Sequence, residues 1–381
     1  MIHRDRMEWL DALRLIAGVS VICMHASFDW NGQIFPDVTA AERTVPTLLR
    51  TIFYLARTEL FLVISLFLLA MSLDKRPRGY IETIGQQARR LLIPYVAWMI
   101  IFVIFNLFKA WELGYLVYLW RDMTTIPDTW IRWFALGSIR QQMHFLPTLF
   151  ALVLMYPLFQ LAVRNPVLGL LILPCLFLKR ELSIWIYENV DAFYVDYWLR
   201  LVRILTYSSY GFIGASFYGI LRNPPNFKIR RLLLIGCFAI GIWALWVKFN
   251  VASVEIASGQ RAYLYPSRNW ANLLFPVVLF AVVMLRPMRF PVCISKLAPF
   301  SFGIFLCHPI FLDLFQIYVG NQIINPIHYL SLKIGFAVSM SFFLVVILSR
   351  TAATAWLVGL GTVPKFTLFK VFSRLRAPST S

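Results

Sequence analysis

The chain has 381 residues, of which 60% are hydrophobic, 16% aromatic and only 14% charged. A soluble domain needs a charged skin, typically about a quarter of its residues, so this composition excludes a water-soluble globular protein. The formal net charge of +18 does not indicate nucleic acid either, because Lys and Arg sit mainly in short gaps between apolar runs, where they set membrane orientation.

A helical span needs about 20 apolar residues. On that rule, spans are predicted near 9–29, 53–73, 91–111, 144–163, 167–186, 201–220, 232–250, 269–286, 301–320 and 331–349. The expectation is an all-α polytopic bundle of about ten spans occupying 1–350. Met1 to Arg6 lead directly into the first span with no small-residue cleavage signal, so this segment reads as a retained span, not a signal peptide. The fifth span is interrupted by Lys179, Arg180 and Glu181. Basic residues gather in alternate gaps, with Lys75, Arg76, Arg78, Arg89 and Arg90 among them, which predicts cytoplasmic termini. The segments 29–50 and 112–143 are then external, and rich enough in Trp, Pro and Asp either to cover an outward cleft or to serve as interfacial belts. From Thr351 to Ser381 apolar and basic residues alternate, including Trp356, Lys365, Phe369 and Lys370, and this tail is expected on the inner leaflet. Five cysteines, Cys23, Cys175, Cys237, Cys293 and Cys307, are scattered singly, which suggests neither a disulfide framework nor a metal site.

The first span contains Asp11, Arg14 and His25 in an otherwise apolar helix. Ionisable groups in lipid are costly, about 2.5–3.5 kcal/mol for Asp or Arg on insertion scales. Asp11 and Arg14, near the inner end, could snorkel, and His25 could simply bond a neighbouring helix. Spacing adds to this: eleven residues return to within roughly 20° of the starting face, about 16 Å further along the axis. Arg14 and His25 therefore share a face, one near each boundary. A guanidinium suited to phosphate at one end and an imidazole able to take a proton at the other would serve a long substrate threaded through the protein.

The run Leu10 to Arg14, followed ten residues later by His25, resembles the R-x10-H motif on the first helix of the bacterial membrane acyltransferase-three family. Further similarities follow in order. Thr58 to Ser65 resembles the family's helix-two opening, although Ser65-Leu66 replaces the usual S-G. Arg89, Arg90, Pro94 and Tyr95 resemble its R-R-x-x-x-P-x-Y entry to helix three, with Pro and Tyr adjacent. Gln142 to Leu146, centred on His144, departs from its H-x-W-F-L pattern, whereas Ser301 to Pro309 is similar to its late S-Y-x-x-Y-L-x-H-x-P helix.

The resemblance implies transfer of an acyl group, acetyl or succinyl, from cytoplasmic acyl-CoA to a hydroxyl of an envelope or exported glycan, in the inner membrane of a bacterium. His25 would be the general base, with Glu59 as an intramembrane acid able to orient it or to pair with Arg57. Arg14, Arg89 and Arg90, with Arg4 and Arg6 behind them, would meet the CoA phosphates, although Arg89 and Arg90 also satisfy the positive-inside rule. Asp11 and Tyr95 are grouped with that donor site, and His144 and His308 with substrate binding. No permanently bound cofactor and no metal are expected. The alternative is a proton-coupled transporter or flippase using His25, Glu59 and Asp313 as a relay, for which paired Gly/Pro-broken repeats would be the sign.

Overall fold

In hydrocarbon an unpaired backbone N–H or C=O costs several kcal/mol, so only helices and closed barrels can span it. The computed structural model, which describes residues 7–29, 31–56, 58–262, 266–320 and 325–363, is correspondingly helical, with no strand among those residues. In chain order the helices are α1 (Glu8–Ala26), α2 (Ala40–Phe53), α3 (Thr58–Lys75), α4 (Tyr80–Glu112), α5 (Leu116–Thr125), α6 (Pro127–Ile131), α7 (Phe145–Leu154) and α8 (Tyr156–Arg164). They continue as α9 (Ile172–Asn189), α10 (Ala192–Arg222), α11 (Phe227–Ser258), α12 (Pro266–Leu285), α13 (Val292–Leu297), α14 (Ser301–Tyr318) and α15 (Pro326–Ser349).

Seven segments among the described residues are long and apolar enough to cross a membrane: α1, Ala40–Lys75, α4, α11, Ser267–Leu285, Val292–Tyr318 and α15. The expected fourth span is the pair α7 and α8, which bends by 66°. Pro157, near the start of α8, explains the break, since proline cannot continue the preceding hydrogen-bond ladder. Counting that pair gives eight, against the ten predicted. The other two positions are helical but fall short. Four charged residues interrupt α9, and Thr206, Tyr207, Ser208, Ser209 and Tyr210 dilute the apolar half of α10.

The bundle is organised around α1, which packs on α3, α12, α13, α14 and α15. A second group forms around α10, against α3, α8 and α9, and α11 joins α2 to α12. Buried charge ties the last group together: Glu255 of α11 pairs with Arg50 of α2 and, at 3.0 Å, with Arg268 of α12. The outer surfaces of α4 and α11 carry exposed Ile100, Ile104, Ile235, Phe238, Ile242 and Trp246, a pattern that only a lipid environment tolerates. Residues 351–363 fold back on the bundle, where Trp98 of α4 donates to the Leu357 carbonyl at 2.9 Å and Val358 is fully buried. The remainder of the predicted tail, from 364, lies outside the described residues.

Two glycines test this packing. A Cβ on Gly214 of α10 would lie 3.0 Å from the Val63 carbonyl oxygen and 3.1 Å from the Phe67 nitrogen of α3, backbone atoms that cannot step aside. A Cβ on Gly236 of α11 would meet nothing within 4 Å. Gly214→Ala is therefore expected to destabilise the protein by about 1–3 kcal/mol, whereas Gly236→Ala should be neutral or stabilising by up to about 1 kcal/mol. Thermal unfolding of the two variants in one detergent checks the difference.

Candidate active site

Helix α1 links two cavities. Arg14, in its first half, lines a cavity of about 190 Å³ together with Ser65, Ser72, Gln87, Arg90 and apolar side chains. His25, in its last turn, lines a larger cavity of about 700 Å³ with His308, Asp29, Gln142, Asp313 and Lys333. Helix α14 makes the same journey: Ser301 and Phe302 face the Arg14 cavity, and His308 to Asp313 contribute to the other. Between them stand three buried rings. Phe305 lies 5.5 Å from both Phe61 and Phe145, which are 6.1 Å apart, and 6.2 Å from His308.

His25 and His308 are neighbours, with ring centroids 5.5 Å apart. The local chemistry of α14 fixes one of them. Pro309 has no N–H, so the Phe305 carbonyl four residues earlier lacks its ordinary helical donor. His308 Nδ1 takes that place at 2.8 Å, and also approaches the Ile304 carbonyl at 3.3 Å. A carbonyl only accepts, so Nδ1 carries the hydrogen, and in the neutral ring Nε2 holds the lone pair. That Nε2 is buried with no hydrogen-bond partner.

The segments at 29–50 and 112–143 both reach this cavity, through Asp29, Asn31 and Gly32 on one side and Leu113, Arg140, Gln141 and Gln142 on the other. Gly137 makes the second approach possible. Its φ of 66° is left-handed, and a Cβ there would lie 2.7 Å from the His144 nitrogen. The turn then brings Arg140 to Asp313 at 2.7 Å, while Lys109 of α4 reaches the same carboxylate at 2.9 Å. Outside the spans, Asp128 is held below the usual carboxylate range, chiefly by the Tyr197 hydroxyl and by Arg132; these three residues brace α6 against α10.

Of the sequence candidates, Arg14 and Arg90 meet at one cavity and His25 and His308 at the other. The remainder lie elsewhere. Asp11 is buried beside the Arg14 cavity's helix without lining the cavity, and Arg89 is exposed. Tyr95 donates to the Phe134 carbonyl at 2.8 Å and so fastens α4 to the following loop. Glu59 is buried at the start of α3, where Tyr207 donates to it at 2.9 Å, and is not among the cavity-lining residues. His144 bonds the Gln141 carbonyl through Nδ1 and is likewise not in the wall. Arg4, Arg6 and Arg57 lie outside the described residues. The sequence reading missed Arg140, Gln142 and Lys333. The signal for Lys333 was present, since a lysine within an apolar span is costly and usually has a function.

A multi-pass helical membrane protein with two polar cavities joined by one helix is the class that fold and site define. The chain belongs to the acyltransferase-3 family, whose model, described as an acyltransferase domain, matches residues 7–355. It is therefore an acyltransferase. Comparison with curated proteins and with solved structures gave no match.

Pro309→Ala would return a helical N–H to the Phe305 carbonyl and release His308 Nδ1. The expected result is an unfolding temperature equal to or above the parent's, with acyl transfer reduced by about tenfold or more as the His308 tautomer is no longer preset. Undiminished transfer by this variant would show that the preset tautomer plays no part.

Proposed function

We propose that this protein moves an acetyl or succinyl group from cytoplasmic acyl-CoA to a hydroxyl of an envelope or exported glycan. It does so in the cytoplasmic membrane of a bacterium with both termini inside, and α9 and α10, packed against each other, add two crossings to the eight apolar ones. The reading is carried by one observation: Arg14 and His25 lie on one helix and each lines a different cavity, and the ring cluster of Phe61, Phe145 and Phe305 runs from the wall of the first to His308 in the second.

The smaller cavity suits a thin acylated arm better than a whole nucleotide. The charged part of the donor would then meet Arg14 and Arg90 at the cavity and the exposed Arg89 beside it. Guanidinium groups bind phosphate through paired N–H donors. The arm reaches past the three rings and presents its thioester near His25, roughly 16 Å along α1 from Arg14. The larger cavity lies in the usual size range for a small-molecule site of roughly 300–1,000 Å³ and receives the acceptor.

His25 takes the proton of the acceptor hydroxyl as its oxygen attacks the thioester carbonyl. The new C–O bond forms, the C–S bond breaks, and the thiolate of CoA leaves and is protonated by the imidazolium. No acyl-enzyme is needed. His308 acts as a positioning residue, its Nε2 lone pair available to hold a hydrogen of His25 or of the acceptor. The transporter alternative has less support, because family membership assigns transfer chemistry.

Purified protein in vesicles, given labelled acetyl-CoA or succinyl-CoA and isolated envelope glycan, tests the scheme. A general base contributes about 10²–10⁴-fold, so His25→Gln should lose that much transfer while retaining donor binding. Arg14→Lys keeps the charge but loses the planar fork, and should raise the KM for donor by about tenfold with a smaller change in kcat. Near-parental transfer by well-folded His25→Gln would overturn the catalytic assignment. Equal donor affinity in Arg14→Lys and Arg14→Ala would make Arg14 a structural anchor.

A further inference from the structure

Lys333 of α15 lies inside the His25 cavity wall and is 4% exposed. Burying an ammonium is unfavourable unless it is paired; four cations near this end of the bundle share two carboxylates, whereas Arg43 and Lys248 rest on carbonyls. Arg140 and Lys109 share Asp313, Arg50 and Arg268 share Glu255, and Arg43 is surrounded by the carbonyls of Phe35, Pro36, Val38 and Ile256. Lys333 forms no ion pair among the described residues. Its Nζ donates to the Phe28 carbonyl at 2.9 Å and to the Tyr329 hydroxyl at 3.2 Å. An ammonium has three N–H donors, so one remains.

The charges around Lys333 cancel, which leaves its own ammonium as the excess. Lys109, Asp29 and Asp313 are the charges acting on Lys333. Asp313 is held by its two cations, and Asp29 accepts the Gln33 N–H through Oδ1 at 2.6 Å. Arg140 and Lys333 balance Asp29 and Asp313 in the wall, and Lys109, outside the wall but paired with Asp313, leaves the cluster with one positive charge more than its carboxylates. Arg261 is close to two lining residues, lying 4.5 Å over the Phe28 ring and donating to the Gly32 carbonyl at 2.6 Å. Arg140, on the same cavity wall, bonds Asn106 and pairs with Asp313 through Nη2.

We infer that Lys333, with Arg140 beside it, receives an acidic oxygen group, a carboxylate or phosphate, carried by the molecule that occupies the His25 cavity. This rests on the acyl-transfer scheme above for the identity of that molecule but not for the binding itself. The acidic group belongs either to the acceptor, which is then an acidic sugar or a phosphorylated glycan, or to the far end of a dicarboxylic acyl chain. In both cases the ammonium and His25 hold the substrate at two points, and the acid selects which hydroxyl or carbonyl comes to rest at the imidazole.

The experiment reads binding first, without donor. Thermal unfolding of the full chain in detergent is followed with increasing glucuronate, inorganic phosphate or glucose at constant ionic strength. Saturable stabilisation by glucuronate or phosphate, not by glucose, is expected in the parent and in Lys333→Arg. Lys333→Met should weaken the apparent affinity by about tenfold or more, as expected for losing a charged hydrogen bond. Should Lys333→Met fail to fold, Lys333→Gln makes the same comparison while keeping a donor for the Phe28 carbonyl. Equal stabilisation by glucose, or an anion effect unchanged in the neutral variants, overturns the assignment and leaves Lys333 as a tether for the Phe28 segment.

Adding donor separates the two sources. Succinyl-CoA that competes with glucuronate where acetyl-CoA does not assigns the site to the acyl chain. Simultaneous binding of glucuronate with either donor assigns it to the acceptor. Because the anion effect is measured with no donor present, its loss counts against this site alone. Loss of transfer with the anion effect intact counts against the acyl-transfer scheme alone.

Discussion

The arrangement of this protein depends on the pitch of one buried helix. Lipid requires α1 to pair every backbone group within itself, and a helix so constrained returns to the same face after eleven residues. Arg14 and His25 are thereby held in line, and neither can move relative to the other without unwinding α1. Helix α14 runs alongside in the same sense, from Ser301 at the smaller cavity to Asp313 at the larger. The two helices form a rigid frame around the ring cluster of Phe61, Phe145 and Phe305. In the proposed scheme a donor arm entering from the Arg14 cavity passes that cluster to reach His25.

Polar groups near this frame show how burial is offset. His308 is completely buried, yet its Nδ1 hydrogen is satisfied because Pro309 leaves the Phe305 carbonyl without a helical donor. A residue that would elsewhere only break a helix here presets a tautomer. Asp313 draws Lys109 and Arg140 from two different parts of the chain, and Glu255 does the same for Arg50 and Arg268. These pairs do little for net stability once desolvation is counted. Their effect is geometric, since removing either carboxylate would strand two cations, and so they hold α2, α4, α11, α12 and α14 in register.

The loops are fixed by equally local rules. The left-handed turn at Gly137 and the close approach of the following backbone carry Arg140 to Gln142 into the larger cavity. On the other side Arg43 gathers four carbonyls from the segment after α1 and from α11, and Asn31 and Gly32 of the same segment line the cavity. A site between helices is completed here by two loops, each anchored by a single residue whose chemistry allows no substitute of the same shape.

By itself the sequence determined the membrane class, the helical architecture, the shared face of Arg14 and His25, and the family, because apolar run length and helical pitch are local properties that each residue carries wherever the chain goes. The sequence grouped His308 with substrate binding by motif but did not place it beside His25, although the His-Pro pair that fixes its tautomer was local. Tertiary structure alone decided the rest. It left Asp11, Arg89, Tyr95, Glu59 and His144 out of the cavity walls and brought Arg140, Asp313 and Lys333 together from segments far apart in the chain. The physical reason is that a charge in an apolar run has a cost the sequence can show, whereas its partner is chosen by packing between helices, and packing depends on shape in three dimensions that no local pattern encodes.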